Sequence, residues 1–152
     1  MSHLDYLNEL KRYYTILGKE KNKKGEEFYV CAIKEKDYYK MIILKSIDRI
    51  QHKSYLNIST EYDSNDKNKM ILKIADIIVA EKNIGNGSIL MKYLFQYANK
   101  NENIKKVIGT MSEIDKDHFD RLEHFYKKHG FKVVFYIDDK GERIAGDIEK
   151  DL

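Results

Sequence analysis

The stretch Lys82-Asn83-Ile84-Gly85-Asn86-Gly87-Ser88 constrains this chain more than any other. An apolar run from Ile74 to Val79 precedes it. Ile89-Leu90-Tyr93-Leu94-Tyr97 follows with helical spacing. That order predicts a strand, a glycine loop and a helix. Such a loop leaves the first N–H groups of the helix without intrahelical acceptors, beside the positive end of the helix dipole. This end suits a phosphate, and glycines without Cβ atoms let it come close to the backbone. Two common phosphate motifs are incomplete here. A P-loop ends in Gly-Lys-Ser/Thr, and no lysine follows Gly87. A Rossmann fingerprint needs a third glycine where Leu90 stands. The same residues also read as a turn capped by Gly85 and a helix begun at Gly87, with no ligand.

The rest of the chain alternates between elements. Leu4-Leu7-Leu10-Tyr14-Leu17 predicts a helix that stops at Gly18, followed by a charged loop from Lys19 to Glu27. Strands are predicted over 28–33, 38–44, 55–60, 70–79 and 106–111, and helices over 88–99 and 119–129. Residues 131–138 and 143–149 form a closing hairpin around Asp139-Lys140-Gly141. With no repeat and no linker, residues 1–152 are expected to form a single mixed α/β domain. Hydrophobic content of 42% with 35% charged residues fits a soluble globular protein. No apolar run approaches the ~18 residues of a membrane span. A net charge of +3 is too small to imply nucleic acid. The N-terminus lacks the blocks of a signal peptide, and the lone Cys31 reads as a buried thiol. A cytoplasmic location is the expectation. Asp115-Lys116-Asp117-His118-Phe119-Asp120 has a calcium-loop flavour, but Asp120 and Tyr126 stand where glycine and glutamate belong. No metal is expected.

A second motif lies downstream. Phe125-Tyr126-Lys127-Lys128-His129-Gly130-Phe131 reads as a helix end, a glycine C-cap and a new strand. Together the two motifs resemble the GNAT N-acetyltransferase superfamily. That family carries Arg/Gln-x-x-Gly-x-Gly/Ala after its central strand, and Phe-Tyr-x-x-x-Gly-Phe further on. Here the first is Lys82-x-x-Gly85-x-Gly87, and the second is present in full. The resemblance runs from Met70 to Tyr136, about half the chain.

The resemblance implies a central, mostly antiparallel twisted sheet flanked by helices, and acetyl-CoA as co-substrate. It implies direct transfer of the acetyl group to a primary amine of a small molecule or peptide. Neither nucleic acid nor membrane is expected as a partner, and a homodimer is left open. Lys82, Ile84, Gly85, Asn86, Gly87 and Ser88 would hold the pyrophosphate. Ile77, Ile78 and Val79 would offer strand backbone groups to the pantetheine amides. Tyr126 matches the tyrosine that commonly protonates the departing thiolate, with plain core packing as its alternative role. Asp76 matches an acidic residue that accepts the amine proton through water, with an exposed strand position as the alternative. Glu81 and Glu61 are weaker candidates. The alternative function is a catalytically inactive GNAT-like module that binds CoA or a partner. Three departures stand out, the first being Lys82 in place of the usual Arg or Gln. The segment from Val79 to Gly85 looks about two residues short for the family. Phe119 stands where many members have a CoA-contacting asparagine.

Overall fold

The computed structural model describes residues 2–152. Helix α1 spans His3–Tyr13. Its start is fixed by a capping box, in which the Asp5 N–H donates to Ser2 Oγ and the Ser2 N–H donates to the Asp5 carboxylate. Tyr14 is extended, at φ −132°, and ends the helix. The predicted helix therefore stops short, and Ile16 and Leu17 belong to strand β1, Thr15–Lys21. Lys19, Glu20 and Lys21, predicted as loop, pair with Tyr29, Phe28 and Glu27 across the ladder. Charged residues are what an edge strand carries, because they discourage pairing with other chains. That composition hides the strand from a sequence reading.

The remaining elements fall close to their predicted positions. They are β2 (Glu27–Glu35), β3 (Tyr38–Ser46), β4 (Tyr55–Tyr62), β5 (Met70–Ile78), α2 (Asn86–Lys100), β6 (Ile104–Met111), a 3-10 turn (Glu113–His118), α3 (Phe119–Lys128), β7 (Lys132–Ile137) and β8 (Arg143–Asp151). The fold is mixed α/β, with eight strands and three α-helices among the described residues. The pairs β1–β2, β2–β3, β3–β4, β6–β8 and β7–β8 are antiparallel, whereas β5–β6 is parallel. A parallel pair needs a crossover, and α2 supplies it. Among the described residues, no helix is long and apolar enough to cross a membrane.

The chain divides into two compact units. The first runs through Ser59 and takes in Asp76–Tyr97, and the second comprises Thr60–Ala75 and Ala98–Leu152. In the first, alternate residues of β2 and β3 (Phe28, Val30, Ala32, Ile42, Leu44) turn inward with Leu56 of β4. Leu90, Met91 and Leu94 supply the apolar face of α2, and all of these are buried. Tyr97 stacks on Tyr39 at 4.5 Å, and its hydroxyl accepts the Tyr39 N–H at 3.3 Å. In the second unit, Leu72, Val107, Met111, Phe119, Tyr126, Phe131 and Ile148 form the core. Burying each such side chain is worth about 1.5–3 kcal/mol.

One close approach depends on glycine. Gly18 of β1 lies under Tyr93 of α2, and a Cβ there would sit 2.1 Å from the phenol oxygen. The Tyr93 hydroxyl donates to Glu20 at 3.1 Å, and the ring is buried, so it cannot simply swing away. Gly18→Ala is expected to cost about 1–3 kcal/mol through overpacking. A urea titration checks it, with a lowered midpoint and an unchanged slope as the expected result.

Candidate active site

The predicted phosphate loop lies wholly within the first unit. After Ile78 the chain leaves β5, and the Ala80 N–H donates to the buried Ser54 Oγ at 3.0 Å. Asn83 (φ 66°) and Gly85 (φ 95°) then take left-handed conformations, which turn the chain sharply into α2. Asparagine and glycine tolerate that region best. The Gly85 carbonyl accepts the Ile89 N–H at 3.0 Å, the first turn of the helix. The N–H groups of Asn86 and Gly87 precede that bond and have no intrahelical acceptor. These are the open donors at a helix start that the glycine loop predicts.

Three residues that the sequence reading passed over hold this loop in place. They lie on the turn between β1 and β2. Asn22 Oδ1 accepts the N–H groups of Lys24 and Glu26, at 3.0 and 3.1 Å. That fixes its amide orientation, so Nδ2 is the outward donor. It donates to Glu26 Oε1 at 3.1 Å and to Asn86 Oδ1 at 3.0 Å. The Lys23 N–H donates to the Ile84 carbonyl at 2.9 Å. Lys24 pairs with Glu81 at 2.6 Å, and this hydrogen bond raises the lysine's pKa. Asn86 is 1% exposed, with Oδ1 committed to Asn22, and its Nδ2 has no partner among the described residues. The local signal for the turn was available in Asn22-Lys23-Lys24-Gly25, since Asx residues and a left-handed glycine (φ 83° at Gly25) favour turns. The link from Asn22 to Asn86 had no local signal.

The other predicted residues fall as follows. Ile77, Ile78 and Val79 are half-buried, and Lys82 is exposed. Asp76 is exposed, so burial does not set its environment. Tyr126 lies in the second unit, on α3, and is 4% exposed. Phe125 and Phe131 pack edge-on against its ring at 5.4 and 5.5 Å. Its carbonyl accepts the Phe131 N–H at 3.0 Å, and Gly130 (φ 87°) makes the C-cap that the motif predicts. Phe119 is a core residue, packed on Phe135 at 5.2 Å with the Arg143 guanidinium over its ring.

A cavity of about 390 Å³ opens in the first unit, lined by Tyr6, Glu9, Lys45, Arg49 and His52 among others, and by none of residues 76–88. His52 packs on Phe28 at 4.6 Å. Burial lowers its pKa from 6.5, against the smaller pull of Glu26 and Glu81.

No family model matches the sequence. A curated relative does. The uncharacterized protein YocC of Bacillus subtilis is 32% identical over 138 residues, covering 91% of this chain and 79% of YocC. Among solved structures, Arabidopsis thaliana Naa50 in complex with the bisubstrate analogue CoA-Ac-MVNAL superposes with a TM-score of 0.56 at 18% identity, over 75% of this chain and 74% of that one. Arabidopsis NAA60 in complex with acetyl-CoA superposes with a TM-score of 0.53 at 14% identity, over 74% and 77%. The chain belongs to one family with YocC and has the GNAT acetyltransferase fold. At these identities the Naa50 and NAA60 superpositions speak for the GNAT fold, and the family membership rests on YocC.

Two outcomes are expected from this geometry. Asn22→Ala removes the donor to Asn86 and the acceptor of two N–H groups, and is expected to cost about 1–3 kcal/mol by thermal or urea unfolding. His52 has a folded-state pKa below its unfolded value, so the unfolded chain binds the proton more readily. Stability should therefore fall as pH drops through about 6.5. In His52→Asn this slope should be shallower, as urea midpoints measured across that range would show.

Proposed function

We propose that the protein is an acetyl-CoA-dependent N-acetyltransferase that moves the acetyl group directly to a primary amine. The observation that carries this is the start of α2. There, N–H groups without intrahelical acceptors follow two left-handed residues at the end of β5. Naa50 and NAA60, of the same fold, hold a CoA bisubstrate analogue and acetyl-CoA. The pyrophosphate rests on the backbone from Ile84 to Ser88, beside Lys82. The backbone of Ile77 to Val79 meets the pantetheine amides as an added strand would. The acceptor is the amine of a small molecule or peptide.

In the reaction, the amine nitrogen attacks the thioester carbonyl. The C–N bond forms, the C–S bond breaks, and the nitrogen gives up a proton while the thiolate gains one. Holding the thioester and amine together accounts for much of the rate. Tyr126 is proposed as the acid that protonates the thiolate. Its place in the Phe-Tyr-x-x-x-Gly-Phe segment supports that role. Asp76 is proposed as the acceptor of the amine proton. Its exposure is compatible with transfer through water.

The test is turnover of acetyl-CoA against a panel of amines and peptides, followed by release of free thiol. Gly87→Asp places a carboxylate at the phosphate and is expected to abolish CoA binding in a folded protein. Tyr126→Phe is expected to lower kcat by about 10- to 100-fold, with acetyl-CoA affinity nearly unchanged. Asp76→Asn should reduce turnover with acetyl-CoA affinity nearly unchanged. CoA binding without thiol release on any amine would leave a binding module in place of an enzyme.

A further inference from the structure

We infer that Lys23, on the turn between β1 and β2, is a cofactor-holding residue whose ammonium closes over the pyrophosphate at the start of α2. This rests on the acetyl-CoA reading and adds a residue outside both sequence motifs. The turn is fastened to the loop at three points: Asn22 to Asn86, the Lys23 N–H to the Ile84 carbonyl, and Lys24 to Glu81. Lys23 Cγ lies 3.8 Å from where a Cβ on Gly85 would be. The lysine stem thus begins its path against the glycine that opens the helix, and the δ and ε carbons carry the ammonium onward from there.

The two neighbouring lysines differ in charge state of their surroundings. Lys24 is neutralised by Glu81, whereas Lys23 is exposed and has no ion-pair partner among the described residues. Its charge is therefore available to a ligand. Asn86 is the first residue of α2, and its Oδ1 accepts from Asn22 Nδ2, which ties the helix start to the same turn. A phosphate at that end would accept from the Asn86 and Gly87 backbone N–H groups, which the helix leaves open. A cation from the hairpin then offsets the charge that a helix end neutralises only in part.

Calorimetric titration of CoA and 3′-dephospho-CoA tests this. Lys23→Ala leaves the backbone hydrogen bond to Ile84 intact, so the hairpin stays docked while the charge goes. We expect K23A to weaken both ligands by roughly 10-fold, K23R to stay within about 3-fold of the unaltered protein, and K24A to do less than K23A. The K23A loss should shrink as salt is raised. Unchanged affinity in folded K23A would overturn the inference. So would a loss seen with CoA and absent with 3′-dephospho-CoA, because the lysine would then serve the 3′-phosphate. If the unaltered protein binds neither ligand, the acetyl-CoA reading itself fails, an outcome distinct from both.

Discussion

The hydrogen bond from the Asn22 side-chain amide to Asn86 Oδ1 is the constraint on which the site rests. A loop with two left-handed residues has little to hold it by itself. Its glycines allow many conformations, and its first helical N–H groups gain nothing from the helix. Asn22 removes that freedom because its own orientation is already settled by the turn it sits in. Its oxygen is taken by two N–H groups of the hairpin, so its nitrogen must point outward, and Asn86 meets it. The order is passed from a tight turn to a loose one.

Helix α2 serves two ends of this arrangement. Its apolar face, with Leu90, Met91 and Leu94, sets where the helix lies and which way it faces. Tyr93 over Gly18 and Tyr97 on Tyr39 fix its rotation about its own axis. The direction of the dipole follows from that packing. Core residues thus aim the positive end of the helix, while the loop residues only shape what stands in front of it.

Much of this was legible in the sequence, for reasons that differ by element. Alternation exposed β2, β3 and β5, because their inward and outward residues differ in kind. The Gly130 cap and the Gly85 turn were legible because left-handed backbone at those points favours glycine. Strand β1 was not legible. Thr15-Ile16-Leu17 continues the helical spacing of α1, and Lys19-Glu20-Lys21 has the composition of a loop. Its pairing with β2 outweighs local preference. Asn22 and Lys23 escaped notice because their partners lie far along the chain. The carboxylate of Asp76 was located on its strand correctly, but whether it faced water depended on neighbours that no local pattern encodes.

The contacts that form the loop join distant parts of the chain. Asn22 and Asn86 are 64 residues apart, and Lys24 and Glu81 are 57 apart. The hairpins β1–β2, β2–β3 and β7–β8, by contrast, close over short turns. Closing a long loop costs entropy before any contact repays it. The loop before α2 therefore carries a larger closure cost than any of these hairpins. It is also the part whose order depends least on its own sequence. A ligand that binds there adds stability where the chain alone supplies the least, and protection from amide exchange would grow first in this loop and in the hairpin that clasps it.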